Sequence, residues 1–278
     1  MTETSLDRST DQQENTVSNP HGTPIWYEYL AQDVDRAGAF YAEVAGWQVK
    51  SSGMPGIDYR ILSTPRDTAV GGLMALPQGA PMRPGWLGYF GVDDVDATVS
   101  AVQTAGGQVH MPPTTLEGVG RMAMVSDPQG APFYVMRGTS EAPSTSFQGP
   151  ADASPGHVVW NELMATDQDA AMRFYGPLFG WRHEGAMSMG PLGDYKFLHA
   201  GPTCLGATMN VPPGETPGWR FYVLVSEIDG VIGRLTDAGG RVVHGPNQIP
   251  GGDYAVVAED PFGARFGCVG PRCKGAEA

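Results

Sequence analysis

The sequence predicts an α+β fold made of four β-α-β-β-β motifs that form two tandem domains. Three observations predict it: a phrase that begins at Gly22 returns at Gly156, a strand-and-helix pattern occurs twice within each copy, and further strand-like runs follow the helices. A repeat of this length is considered before any single element, because each copy is expected to fold as one unit.

The long repeat covers nearly the whole chain. The stretch GTPIWYEYLAQDVDRAGAFYAEVAGW begins at Gly22, and its counterpart GHVVWNELMATDQDAAMRFYGPLFGW begins 134 positions later. Further on, GWLGYFGVDDVDATVSAVQTAGG matches GWRFYVLVSEIDGVIGRLTDAGG, and DPQGAPF matches DPFGARF, both at an offset of 133. The segment between the copies is rich in Pro, Ser, Gly and Ala, which is typical of a linker. The domain plan is therefore a tail at 1–20, a domain at 21–138, a linker at 139–155, a domain at 156–271 and a tail at 272–278.

Each copy opens with a short apolar strand, PIWYEYL or HVVWNEL, followed by a helix. The first helix is indicated by apolar residues at i, i+3, i+4 and i+7, namely Ala37, Phe40, Tyr41 and Val44. Asp33 is its predicted N-cap and Gly46 its predicted stop. Asp167 and Gly180 repeat these roles in the second copy.

The second half of each copy repeats the plan. WLGYFGV predicts a strand, and a stripe of Val95, Val99 and Val102 predicts a helix that ends at two glycines. The remaining strand-like runs are YRILST, GGLMALP, RMAMVSD and PFYVMR in the first copy and YKFLHA, GATMNVP, YAVVAED and RFGCVG in the second.

Composition limits the function classes. The formal net charge of −13 argues against nucleic acid and anionic membranes as partners, since both require clustered cations. Three cysteines without a CxxC pair favour a reducing compartment. The chain contains no long apolar run, and its polar N-terminus lacks a signal-peptide core and is expected to be disordered. We therefore expect a cytoplasmic protein with a small-molecule ligand. Its oligomeric state is left open, with a homodimer as one option.

The motifs FYAEVAGW, VDDVDATVSAVQTAGG and DPQGAPFYV, with second copies FYGPLFGW, SEIDGVIGRLTDAGG and DPFGARFGC, resemble the vicinal oxygen chelate superfamily. That superfamily includes glyoxalase I, bleomycin-resistance proteins and extradiol dioxygenases, and the doubled WxE…FY…GW pattern is similar to two-domain glyoxalase-like proteins of the hydroxylase type. The resemblance implies that each domain curls into a U-shaped mixed sheet, with helices on the convex face and a ligand in the concave face. We call the concave faces cup one (domain 21–138) and cup two (domain 156–271).

The resemblance also implies where a metal would be held, and the chain departs from the pattern there. Metal-dependent relatives resemble one another in a His on the first strand, where this chain has Trp26 and Trp160. The second His position falls near Trp86-Leu87 and Trp219-Arg220, and the last-strand Glu position falls on Tyr134 and Gly267. A divalent metal needs three or four converging His, Asp, Glu or Cys ligands. We therefore expect no metal and no other cofactor.

Two strand glutamates are the candidate catalytic groups. Strand side chains alternate, so Trp26, Glu28 and Leu30 share one face. If tryptophans occupy the inward ligand position, then Glu28 and Glu162 also point into the cups. Burial on an apolar face should raise the pKa of a carboxyl and suit it to acid/base work. The alternative is that each glutamate anchors a backbone N–H or an arginine and is purely structural.

Other residues are weaker candidates. Tyr134 is a third candidate catalytic residue, because it takes the position of a metal ligand in the relatives and could face the ligand. Tyr59 and Tyr195 match in DYR and DYK, and each could donate a hydrogen bond to a ligand or pack in the core. Arg220 could bind a carboxylate or phosphate in cup two or lie on the surface. The expected substrate-binding set is Trp26, Tyr59, Met74, Trp86, Trp160, Tyr195, Trp219 and Arg220.

Three functions remain open on the sequence. The first is a metal-independent enzyme that uses Glu28 or Glu162 on a small carbonyl-containing or aromatic molecule, as an isomerase, lyase or hydrolase. The second is a binding or resistance protein that breaks no bond. The third is a metal-dependent glyoxalase or dioxygenase with displaced ligands. The sequence does not decide which cup works.

Overall fold

A computed structural model describes residues 19–80 and 82–272. The predicted tails therefore lie almost entirely outside the described residues, as does Cys273. Within the described ranges, none of the helices is long and apolar enough to cross a membrane.

Among the described residues, the first repeat contains eight strands and two α-helices, and the second contains the same elements in the same order with one added 3-10 turn at Gly190–Leu192. The first repeat consists of β1 (Pro24–Ala31), α1 (Val34–Ala45), β2 (Gln48–Ser51), β3 (Tyr59–Ser63), β4 (Ala69–Ala75), β5 (Gly85–Gly91), α2 (Val95–Thr104), β6 (Gln108–Leu116), β7 (Gly120–Ser126) and β8 (Pro132–Gly138). The second consists of β9 (Val158–Ala165), α3 (Gln168–Phe179), β10 (Trp181–Ser188), β11 (Asp194–Ala200), β12 (Thr203–Asn210), β13 (Gly218–Leu224), α4 (Ile228–Asp237), β14 (Arg241–Gln248), β15 (Tyr254–Glu259) and β16 (Arg265–Gly270).

The helix boundaries follow from local chemistry. Asp33 accepts a hydrogen bond from the backbone N–H of Arg36 at 3.0 Å, so it caps α1 as predicted. Asp167 caps α3 in the same way. Gly46 follows α1 with φ of 72°, a left-handed conformation that glycine adopts without steric cost.

Each repeat folds into one eight-stranded mixed sheet. The strand order is β2-β3-β4-β1-β5-β8-β7-β6 in the first sheet and β10-β11-β12-β9-β13-β16-β15-β14 in the second. In the first sheet β1 and β5 are antiparallel neighbours at the centre, while β1 pairs with β4 and β5 pairs with β8 in parallel. The predicted α+β fold with two β-α-β-β-β motifs per sheet is confirmed.

The helices of the two repeats pack together on the outer faces of the sheets, with α1 against α4 and α2 against α3. A single apolar core joins the repeats and includes Tyr27 and Phe133 from the first and Tyr175 and Trp219 from the second. Because one face of each central strand is used in this core, the opposite face is left to form the cup.

Buried aspartates connect the repeats across this core. The hydroxyls of Tyr29 and Tyr41 donate to Oδ2 of Asp260 at 2.5 and 2.9 Å. In the symmetric position, the Tyr175 hydroxyl donates to Oδ2 of Asp127 at 3.2 Å. Both aspartates open the DP turns seen in the sequence, so these turns act as contacts between the repeats.

Candidate functional site

The alternation of β1 places Trp26, Glu28 and Leu30 on the concave face of the first sheet, and these three residues line a large cavity in cup one. Its volume is about 1210 Å³. The intervening residues Tyr27 and Tyr29 belong to the core between the sheets. The sequence prediction for the direction of Glu28 thus agrees with the structure.

Glu28 is the buried acidic group of this cavity. Glu28 is only 3% exposed, and desolvation by this burial raises the pKa of its carboxyl to about 7. The hydroxyls of Tyr89 and Tyr59 donate hydrogen bonds to it, and both partly oppose the rise in pKa. Loss of hydration therefore outweighs the two hydrogen bonds, and the carboxyl is poised between its two protonation states near neutral pH.

The position of Tyr59 is set by its neighbours. The indole N–H of Trp26 donates to the Tyr59 hydroxyl oxygen at 2.8 Å. The ring lies over Gly72, where a Cβ would come within 1.9 Å of the hydroxyl oxygen. Gly72 is also the Cα partner of Glu28 across β1 and β4. A glycine is needed at this position so that Tyr59 can lie flat against the sheet and reach the carboxylate.

Tyr134 lies against Tyr89 rather than alone in the cavity. The two rings stack at a centroid separation of 4.2 Å and an interplanar angle of 8°. Burial raises the pKa of Tyr134, and the charge of Glu28 adds to this. The phenol therefore stays protonated around neutral pH and can act as a hydrogen-bond donor to a ligand.

The walls of cup one are dominated by flexible apolar side chains. The lining methionines are Met54, Met74, Met82, Met111, Met122, Met124 and Met136. Methionine adapts its shape to a ligand, so this wall suits a bulky apolar molecule. Two exposed apolar residues, Ile57 at 47% and Leu116 at 37%, stand at the cavity as well. Residues 139–146 of the linker, apart from Glu141, also line the cavity. Ser144 fixes this segment to β1, because its hydroxyl donates to the carbonyl of Ile25 at 2.5 Å.

Cup two holds the same glutamate in a different chemical setting. Oε1 of Glu162 accepts from Arg220 at 3.0 Å, and Oε2 accepts from Tyr195 at 2.8 Å. Tyr222 donates to both oxygens at 3.1 Å. Trp160 donates to Tyr195 at 2.7 Å, in the same arrangement as Trp26 and Tyr59. The carboxylate of Glu162 is thus neutralised and saturated with donors.

A few exchanges between the repeats account for this difference. Leu87 is the Cα partner of Glu28, and Arg220 is the Cα partner of Glu162. Arg220 also bonds Glu215, which occupies the position of Met82 in the first repeat. Arg265, in the position of Pro132, lies 3.6 Å from Glu215 and bonds Glu259 at 2.8 Å. An apolar wall in cup one is therefore replaced in cup two by a charge network that runs from the buried Arg220–Glu162 pair to the partly exposed Arg265 and Glu259.

The remaining exchange is Tyr134 for Gly267. In cup two the ring of Tyr222 covers Gly267 so closely that a Cβ there would lie 2.0 Å from it. Tyr222 donates to Glu162 without a stacking partner, whereas Tyr89 donates to Glu28 while it stacks on Tyr134.

The structure corrects three sequence predictions for the substrate-binding set. Trp86 lies on the outer face of β5 and donates to the Tyr41 hydroxyl at 2.8 Å, and Trp219 packs in the same core between the sheets. The reason is strand parity: Trp86 pairs with Tyr29, not with Glu28, and so shares the face of Tyr29. Arg220 is 4% exposed and is committed to the protein's own carboxylates, instead of facing an open ligand position.

Tyr89, Tyr222 and Leu87 were missed by sequence reasoning. A usable signal existed, because Leu87 and Tyr89 alternate along β5 with Trp86, Gly88 and Phe90. It required the β1–β5 register, which the sequence does not state. Tyr59, Tyr195, Trp26, Trp160 and Met74 do lie on the concave faces, close to the glutamates or in the cavity wall.

The donor set of the cups does not fit a divalent metal. Within the described part of the chain, no group of three His, Cys, Asp or Glu side chains could hold one. The groups nearest Glu28 are two phenols and an indole, and a cation partner already occupies Glu162. These are poor ligands for the hard or borderline ions used in catalysis.

Comparison with known proteins is consistent with the fold. The family model described as the Glyoxalase/Bleomycin resistance protein/Dioxygenase superfamily matches residues 24–135 and 154–267. The chain is 33% identical over 254 residues to "Putative glyoxylase CFP32" of Mycobacterium tuberculosis (strain CDC 1551 / Oshkosh), covering 90% of this chain and 95% of that one. It is 31% identical over 269 residues to "Anthracycline biosynthesis protein DnrV" of Streptomyces peucetius, covering 89% and 93%.

Among solved structures, the Mn(II)-bound glyoxalase from Novosphingobium aromaticivorans superposes with a TM-score of 0.61 at 20% identity. The match covers 90% of this chain and 82% of that one. At this identity the likeness supports the fold alone.

Proposed function

The chain belongs to the Glyoxalase/Bleomycin resistance protein/Dioxygenase superfamily, and from this premise we propose that it is a metal-independent enzyme whose working site is cup one. Glu28 transfers a proton to and from a carbonyl-containing or aromatic organic molecule. The observation that carries the proposal is the buried carboxyl of Glu28, with its pKa raised to about 7, in a cavity of about 1210 Å³.

The geometry supports acid/base chemistry in cup one better than in cup two. A general base works best when its pKa lies near the operating pH, because both protonation states are then accessible. Glu28 has this property and faces open space. Glu162 is bound by Arg220 and two tyrosines, and cannot approach a substrate without breaking that network.

The proposed step is proton abstraction next to a carbonyl. The Glu28 carboxylate takes the proton, the C–H electron pair moves into a C=C bond, and the carbonyl oxygen gains negative charge. The Tyr134 hydroxyl donates a hydrogen bond to that oxygen, because the single O–H protons of Tyr59 and Tyr89 are already donated to Glu28. Return of the proton to another carbon gives an isomer, and loss of a leaving group from the neighbouring carbon gives the lyase outcome.

The test uses 2-tetralone as a probe ketone and follows exchange of its acidic C–H protons for deuterium by NMR. The wild-type protein should accelerate exchange at pH 7. Glu28→Gln should lose at least about 100-fold of this rate, the lower range of a general base contribution, while tetralone affinity is kept. Glu162→Gln is the matched control and should retain exchange as long as it stays folded.

A second candidate function is a binding or resistance protein without turnover. The methionine-rich wall and the apolar residues at the cavity favour this function, because such side chains can bind a bulky apolar ligand and take no part in bond breaking. It predicts that the wild-type protein binds 2-tetralone and yet exchanges no faster than Glu28→Gln.

A further inference from the structure

The size of cup one points to a ligand of several rings. Ligand pockets usually measure about 300–1,000 Å³, and this cavity reaches about 1210 Å³. A three-carbon aldehyde would contact only a small part of such a wall. The stacked pair Tyr89 and Tyr134 offers a flat surface, and the surrounding thioethers are soft apolar contacts for aromatic edges.

The charges of cup one point to the electrostatic class of the ligand. Among the described residues that line the cavity there is no lysine and no arginine. The other groups facing Glu28 are the phenols of Tyr59, Tyr89 and Tyr134, whose pKa values are all raised by burial. His110 is also on the wall, and its Nε2 contacts the Ser126 hydroxyl at 2.9 Å.

An anion bound in this cavity would therefore meet a buried like charge with no compensating cation. In a low-dielectric site this interaction is strongly unfavourable, whereas a cation would gain from the same carboxylate. The overall charge of −13 acts in the same direction at longer range.

The second repeat identifies the residue that decides this preference. Arg220 stands opposite Glu162 in the same register as Leu87 opposite Glu28. An arginine at that position can reach the carboxylate, since Nη1 of Arg220 lies 3.0 Å from Oε1 of Glu162. Leu87 is buried in the cluster beneath the cavity, and it leaves the charge of Glu28 with hydrogen-bond donors but no cationic partner.

We propose that cup one takes uncharged or cationic polycyclic aromatic compounds and rejects carboxylates, and that Leu87 sets this preference by leaving Glu28 unpaired. The inference rests on the proposed function in placing the ligand against Glu28. It adds the chemical class of the ligand and one positioning residue.

The test compares three tricyclic probes of nearly equal size: anthracene-9-methanol, 9-anthracenemethylammonium and anthracene-9-carboxylate. Their affinities are measured by isothermal titration calorimetry at pH 8. Wild-type protein should bind the alcohol and the ammonium probe. It should bind the carboxylate at least about tenfold more weakly than the ammonium, which corresponds to a difference of about 1.4 kcal/mol in binding free energy. Leu87→Arg should reverse this order of affinities, so that the carboxylate binds more tightly than the ammonium. Leu87→Met, which keeps an apolar side chain, should preserve it.

The inference is overturned if the wild-type protein binds the carboxylate as tightly as the ammonium, if none of the three probes binds, or if Leu87→Arg folds and keeps the wild-type order. Where circular dichroism shows that Leu87→Arg does not fold, Glu28→Gln takes its place. Removal of the Glu28 charge should lower the ratio of the ammonium affinity to the carboxylate affinity towards one, and an unchanged ratio overturns the inference. If deuterium exchange depends on Glu28 but the probes show no charge preference, this inference is refuted and the proposed enzyme stands. If the charge preference is found but there is no exchange, the proposed enzyme is refuted and this inference stands.

Discussion

The buried carboxyl of Glu28 should make the stability of the protein depend on pH in a way that one isosteric substitution removes. Glu28→Gln keeps the shape and hydrogen-bonding capacity of the protonated side chain but cannot ionise. Tyr59 and Tyr89 can donate to the amide oxygen as they do to the carboxylate. The variant therefore isolates the cost of burying the charge.

The size and sign of the effect follow from the pKa. Desolvation raises the pKa of Glu28 from 4.5 to about 7. At about 1.36 kcal/mol per pKa unit, the shift corresponds to about 3 kcal/mol. Because the folded state binds the proton more tightly than the unfolded state, wild-type stability falls as pH rises from about 4.5 to about 7. Glu28→Gln should match the wild type below pH 4.5 and exceed it by about 3 kcal/mol above pH 7.

The assay is urea unfolding followed by tryptophan fluorescence and far-ultraviolet circular dichroism at several pH values between 4 and 8.5. Glu162→Gln is the control, and it should lower the free energy of unfolding where Glu28→Gln raises it. It removes one of the two carboxylates that pair with the buried Arg220, so it should destabilise the protein, by less than the about 3–5 kcal/mol of a fully unpaired buried charge because Glu215 remains. If the difference in unfolding free energy between Glu28→Gln and the wild type stays the same at every pH in this range, the account of Glu28 as a desolvated acid without a cationic partner is refuted.

Three further predictions concern the site and the contact between the repeats. Tyr59→Phe removes a hydrogen bond that lowers the pKa of Glu28, so the rising limb of the pH–rate profile for 2-tetralone exchange should move to higher pH; an unmoved limb would show that Tyr59 does not act on Glu28. Asp260→Asn replaces an acceptor of two tyrosine hydroxyls with a donor and should destabilise the protein by about 1–3 kcal/mol in thermal unfolding, unlike the exposed Asp237→Asn. Dialysis against EDTA should leave the exchange rate unchanged, and a loss restored by added Mn(II) or Zn(II) would support the metal-dependent alternative.

Much of the fold was predictable because it depends on local patterns that occur twice. The i, i+3, i+4 stripes, the capping aspartates and the glycine stops each fix a helix from a few neighbouring residues. The direction of Glu28 was predictable for a similar reason, since it needs only the alternation of one strand and a single inward neighbour, Trp26.

The parts that failed depend on how separate strands meet. Trp86 and Trp219 were assigned to the cups because they lie near an expected ligand position, but a shift of one residue in a strand moves a side chain to the opposite face. Tyr89 was overlooked for the same reason. The role of Arg220 could not be read from its own strand, because it depends on Glu162 from β9 and on Glu215 from the preceding loop.

The central claim is that Glu28 is an unpaired acid that titrates near neutral pH inside cup one, and NMR of protein labelled with carbon-13 at the glutamate carboxyl carbon tests it most directly. Spectra of the wild type should contain one carboxyl resonance with a midpoint of about pH 7, and this resonance should be missing from Glu28→Gln. If every glutamate resonance of the wild type titrates below pH 5, or if the resonance near pH 7 persists in Glu28→Gln, the account of the site is contradicted.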